Sequence, residues 1–130
     1  MDAPPEPRDA ATVILVRPAA RDATCYEVFM VRRPATSAFA PDAYVFPGGT
    51  LRPDDWPPPD APVDLPPEAA HARLAGPAGA GLRDPHGSLA IWIAALRELF
   101  EEAGVLLAYD ASGQLVAFDT PAAAERFAAH

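Results

Sequence analysis

The chain has little cysteine, few basic residues and no long apolar run. Cys25 is the single cysteine among 130 residues, so no internal disulfide can close, and a reducing cytoplasm is the expected compartment. Ten basic residues stand against 18 acidic ones, for a formal charge of −8. That balance excludes a broad nucleic-acid or anionic-membrane surface, because both need clustered positive charge. It leaves room for a small anionic ligand bridged by a cation. No apolar stretch approaches the roughly 20 residues that span a bilayer, and the start lacks a basic segment followed by a long apolar one. Cys25, inside a strand-like run, reads as a buried small hydrophobe.

Proline is abundant. Seventeen prolines and 8 glycines in a chain that is half hydrophobic imply one soluble domain with irregular stretches. Residues 1–11 read as a flexible arm and residues 12–130 as the domain. Thr12–Arg17 and Cys25–Arg33 read as strands of an antiparallel hairpin, with Val13, Leu15, Tyr26, Val28 and Met30 as its candidate buried face. A short strand over AYVF ends in Pro47, Gly48 and Gly49, where two glycines let the backbone approach something closely. Residues 51–87, with DDWPPPDAP and GPAGAG, read as a surface insertion carrying a short helix over Pro67–Leu74. Ser88 reads as the cap of a long helix through LAIWIAALRELFEEA that stops at Gly104. DASG then marks a turn between VLLAY and QLVAF, and Thr120 with Pro121 opens a further helix.

The chemistry concentrates on the long helix. Glu98, Glu101 and Glu102 stand at i, i+3 and i+4, so their carboxylates leave one side within about a turn. Acidic groups in the last half of a helix also oppose its dipole. Repulsion among three like charges is costly unless a hard divalent cation, which prefers carboxylate and water oxygens, offsets it. A merely solvated acidic face is the competing reading for glutamate pairs in general. Arg97, four residues before Glu101, can hold an acidic side chain by an ion pair.

The run Arg97-Glu98-Leu99-Phe100-Glu101-Glu102-Ala103-Gly104-Val105 resembles the second half of the Nudix box, R-E-U-x-E-E-x-G-U with U bulky and aliphatic. The VFPGG segment, with Gly49 as the motif glycine, resembles the start of that box. The family pattern places 13 residues between glycine and arginine, and here residues 50–96 intervene. Loop closure entropy grows slowly, so such an insertion is compatible with an intact site. A Nudix subgroup that includes peroxisomal coenzyme A diphosphatases of animals carries a long insertion at this point, and FMVRRPATSAF, YVFPGG and the helix end are similar to it. The early glutamate of the box has no clear counterpart: six on from Gly49 is Asp55, and eight back from Arg97 is Leu89.

The resemblance implies an α/β/α sandwich with a mixed sheet, incomplete at its C-terminal end, so the chain is expected to be an N-terminal piece of a longer protein. It implies metal ligation of Mg²⁺ or Mn²⁺ by Glu98, Glu101, Glu102 and the Gly49 carbonyl. Arg97 joins the three glutamates in the implied catalytic set, and either Glu98 or a loop carboxylate would deprotonate water. The implied reaction is hydrolysis of a nucleoside diphosphate linked to another group, with coenzyme A and its acyl esters first and ADP-ribose or NADH as rivals. A non-catalytic nucleotide-binding domain is the alternative of a different class. Arg32 and Arg33 read as phosphate contacts or as a solvated edge. His71, His86, Asp54, Asp55 and Asp60 match no zinc spacing and read as surface. Trp92 and Phe100 read as core, and Trp56 as cover for either the core or a base.

Overall fold

The computed structural model describes residues 6–75 and 84–116, and within them the chain is α/β, as its sequence implies. Six short strands come first: β1 (Ala10–Thr12), β2 (Val16–Pro18), β3 (Tyr26–Val28), β4 (Val31–Arg32), β5 (Tyr44–Val45) and β6 (Gly48–Thr50). A 3-10 turn over Pro53–Asp55 follows, then helix α1 (Pro67–Ala75) and the long helix α2 (Pro85–Ala103). The strands form three antiparallel ladders, β1 with β6, β2 with β3, and β4 with β5. β1 begins at Ala10, inside the segment read as an arm, because Ala11 is buried beneath α2 and pairs with Gly49.

The expected hairpin forms at β2–β3, closed by Asp22, whose carboxylate accepts from the Thr24 amide at 2.9 Å and the Thr24 hydroxyl at 2.6 Å. Its expected buried face does not. The register sets Val16 opposite Val28 and Pro18 opposite Tyr26, which places Tyr26 and Val28 on the other side of the ladder from Leu15. A pleated strand alternates faces at every residue, so that parity decides the assignment. Tyr26, Val28 and Met30 are exposed, and Val13 and Leu15 half-buried. Cys25 is also exposed, at the end of the turn, with its thiol 3.6 Å from Asp22 rather than in a core.

The core gathers on α2. Leu89, Ala90, Ala94 and Leu99 are buried, with Ala11 from β1, Pro47 from the link between β5 and β6, and Ala70 from α1. Small residues at 70, 90 and 94 let α1 and α2 pack closely, and the Trp92 indole donates to the Ala70 carbonyl at 3.3 Å. Residues 51–87 are thus not wholly surface: they supply a packed helix and a buried aspartate. Phe100, read as core, is exposed. Trp92 is half-buried and Trp56 exposed.

α2 starts earlier than Ser88 implies. Asp84 is the cap, its carboxylate accepting from the Gly87 amide at 2.7 Å, and Pro85 occupies the first turn, where a missing N–H costs nothing. Ser88 is instead buried inside the helix, donating to the Asp84 carbonyl at 3.0 Å and bonded to His71 Nδ1 at 2.8 Å. The helix ends at Gly104 in the left-handed region, φ 66°, its amide bonded to the Phe100 carbonyl. The DASG turn closes a bridge between Tyr109 and Leu115. The helix expected from Thr120 onward lies outside the described residues.

Candidate active site

The glycine pair places α2 directly on β6. A Cβ at Gly49 would run into the Glu98 carboxylate, and one at Gly48 into the Ala11 carbonyl. No side chain larger than hydrogen fits at either position without moving its neighbours. Pro47, buried, accepts from the Val13 amide at 2.9 Å and so ties the segment before the glycines to β1. Glu102 reaches over to the same strand, accepting from the Gly48 amide at 3.0 Å.

Arg97 organises the rest. Its Nε and Nη2 donate to the two oxygens of Asp55 at 2.8 and 2.9 Å, a bidentate fork onto a carboxylate only 1% exposed. Nη1 donates to Glu98 at 2.7 Å and to Glu101 at 3.2 Å, and Nη2 also donates to the Thr50 carbonyl at 3.2 Å. All five N–H donors of the guanidinium are thereby used, a geometry that lysine cannot reproduce. The fork, followed by the Arg52 amide, holds the Asp55 carboxyl below the ordinary carboxylate range, against the opposing effect of burial. The same pair, with a smaller contribution from Glu98, raises Arg97 above its already high value.

Asp55 therefore is not the surface carboxylate that its proline-rich neighbourhood implies. It lies six residues after Gly49 and pairs with Arg97 across 42 residues of chain. The Asp55–Arg97 fork ties the start of the 51–87 segment to α2. No local pattern shows the pairing, because its two partners are 42 residues apart.

A second arginine, Arg52, completes the cluster. Its Nη1 lies 2.9 Å from Glu101 and its Nη2 3.8 Å from Glu98. No sequence pattern marks it. Among the described residues, no three acidic, histidine or cysteine side chains stand together as a preformed metal cage. Glu98 and Glu101 face the two guanidinium groups, and Glu102 faces the Gly48 amide. The donor set nevertheless suits a hard cation: carboxylate oxygens from one helix face, beside a glycine backbone with no side chain to obstruct approach. Gly49 is in place there. Arg32 is taken up by Asp42 at 3.0 Å, away from the cluster, and His71 is bonded to Ser88.

This layout, a glycine strand against a helix whose arginine gathers acidic side chains, coincides with a family match over residues 7–126, to the NUDT19 Nudix domain. The chain belongs to the Nudix hydrolases. This Nudix domain is 35% identical over 123 residues to an acyl-coenzyme A diphosphatase NUDT19 from Gallus gallus, a match covering 77% of the chain and 32% of that protein. It is also similar to the crystal structure of a NUDIX hydrolase from Alicyclobacillus acidocaldarius, with a TM-score of 0.56 and 33% identity, covering 92% of this chain and 46% of that one. The chain thus spans about a third of the length of the curated relative and under half of the solved chain. Among the described residues, no helix is long and apolar enough to cross a membrane.

Proposed function

We propose that this Nudix domain hydrolyses the diphosphate of coenzyme A or its acyl esters in a reaction dependent on Mg²⁺ or Mn²⁺, with Glu98, Glu101, Glu102 and the Gly49 carbonyl as the cation's ligands. The observation that carries the reading is that the Glu98 carboxylate fills the space where a Cβ at Gly49 would stand, which sets the acidic helix face against the glycine strand of the same motif. A bound divalent cation lowers the pKa of water and neutralises diphosphate oxygens. The chain's own residues hold and orient. Arg97 touches no reacting atom in this scheme and is a positioning residue: its Nη1 binds Glu98 and Glu101 at once and fixes the distance between them. Glu98, only 7% exposed, is confined between Arg97 and Gly49.

Water adds to one phosphorus, its proton passes to a carboxylate base, and the bond to the bridging oxygen breaks. A coenzyme A substrate then yields adenosine 3′,5′-bisphosphate and 4′-phosphopantetheine. The preference for coenzyme A rests on the relative's name and on the similarity of the insertion-bearing subgroup; ADP-ribose and NADH carry the same diphosphate and form the comparison panel. Incubating the protein with coenzyme A, an acyl-coenzyme A, ADP-ribose and NADH, with Mn²⁺ or with chelator, tests the proposal by product identification. Phosphopantetheine-containing products from the first two, absent with chelator, are expected. Faster cleavage of ADP-ribose or NADH would overturn the substrate, and a well-folded protein that binds these ligands without cleaving any would overturn the activity.

A further inference from the structure

Arg52 stands outside the matched positions of the Nudix box and yet occupies its carboxylates. Neither oxygen of Glu101 is free of a guanidinium: Oε1 has Arg52 at 2.9 Å and Oε2 has Arg97 at 3.2 Å. Glu98 Oε1 is shared the same way, with Arg97 at 2.7 Å and Arg52 at 3.8 Å. The two arginines are not equivalent. Arg97 is 18% exposed and forked onto a buried aspartate, so moving it would strand a buried charge. Arg52 is 51% exposed, and its head group touches the two glutamates.

The backbone of Arg52 is fixed while its head is free to move. Its amide donates to Asp55 Oδ2 at 2.7 Å, and its carbonyl accepts from the Asp55 amide at 3.0 Å. Those bonds anchor the Cα beside the cluster and leave a long, solvated side chain to reach the carboxylates or to leave them. A divalent cation and a guanidinium on the same oxygens repel each other.

Building on the proposed cation site, we propose that Arg52 is an exchangeable counter-ion that neutralises Glu101 and Glu98 in the cation-free protein and withdraws when a divalent cation binds, and so sets the cation affinity of the helix. Arg52 is then a positioning residue whose charge, rather than its shape, matters. The measurement is Mn²⁺ binding to the purified chain, read from the electron paramagnetic resonance signal of free Mn²⁺, for the wild type, Arg52→Gln and Arg52→Lys, with circular dichroism to verify the fold of each. Arg52→Gln removes a competing charge and should bind Mn²⁺ roughly two- to fivefold more tightly, the scale of a half-exposed ion pair. Arg52→Lys keeps the charge and should match the wild type. Equal or weaker binding by Arg52→Gln would overturn the proposal, as would Arg52→Lys behaving like Arg52→Gln, which is the result for a role in shape alone. If neither wild type nor variant depletes free Mn²⁺, the cation site itself is wrong and the proposal falls with it.

Discussion

Replacing Asp55 with alanine takes one partner from an ion pair whose carboxylate is 1% exposed and leaves the Arg97 fork with Nε unpaired. Removing one member of a buried pair costs about 3–5 kcal/mol. Arg97 keeps Glu98, Glu101 and the Thr50 carbonyl and is 18% exposed, which argues for the lower end. The Arg52 amide also loses its acceptor, worth about 1 kcal/mol. The expected loss is therefore about 3–4 kcal/mol, a large share of the roughly 5–15 kcal/mol that stabilises a domain. Urea unfolding followed by circular dichroism reads it as a lower midpoint with unchanged slope. Because the two side chains act as one unit, Asp55→Ala combined with Arg97→Ala should be less damaging than the sum of the single changes, by about 2 kcal/mol. A single-variant loss below about 0.5 kcal/mol, or strict additivity in the cycle, would refute the claim that this fork anchors the insertion to the helix.

Gly49→Ala should lower stability by about 1–3 kcal/mol in thermal unfolding and reduce turnover further, because the added methyl meets the Glu98 carboxylate. Gly104→Ala meets no neighbour within 4 Å but forces a side chain into φ 66°, so it should cost about 1 kcal/mol by the same assay and leave Mn²⁺ binding unchanged. Asp55 also gives stability a pH dependence: its folded pKa lies below the unfolded value of about 3.9, so its contribution is complete above that pH and is lost as pH falls through the folded value. Unfolding free energy measured from pH 6 to pH 2 should decline at the acid end more steeply for the wild type than for Asp55→Asn.

The features legible in the sequence are those with local causes. Gly104 ends α2 because a residue in the left-handed region suits glycine, and DASG turns because Asp110 accepts bonds from its own neighbours. The start of α2 was equally local, but Asp84-Pro85 outranks Ser88 as a start signal, since it places proline in the first turn and a carboxylate at the cap. The hairpin's faces were not legible, because register depends on the partner strand, and Phe100 shows that an apolar residue on a helix need not face the core. At the site, the glutamates and Gly49 carry the motif's spacing. The bond between Asp55 and Arg97, and that between Arg52 and Glu101 across 49 residues, depend on how the insertion folds back, which no short pattern encodes.

The central claim is that the face of α2 holding Glu98, Glu101 and Glu102 is a cation-dependent hydrolytic centre. Initial rates of coenzyme A cleavage across a Mn²⁺ titration, for the wild type and for Glu101→Gln with an unchanged circular dichroism spectrum, test it most directly. The account predicts a saturable Mn²⁺-dependent rate for the wild type and a loss of about a hundredfold or more in the variant, the scale for removing a preorganised charged group from an active site. Equal rates for the two proteins, or a wild-type rate that persists with chelator, would contradict it.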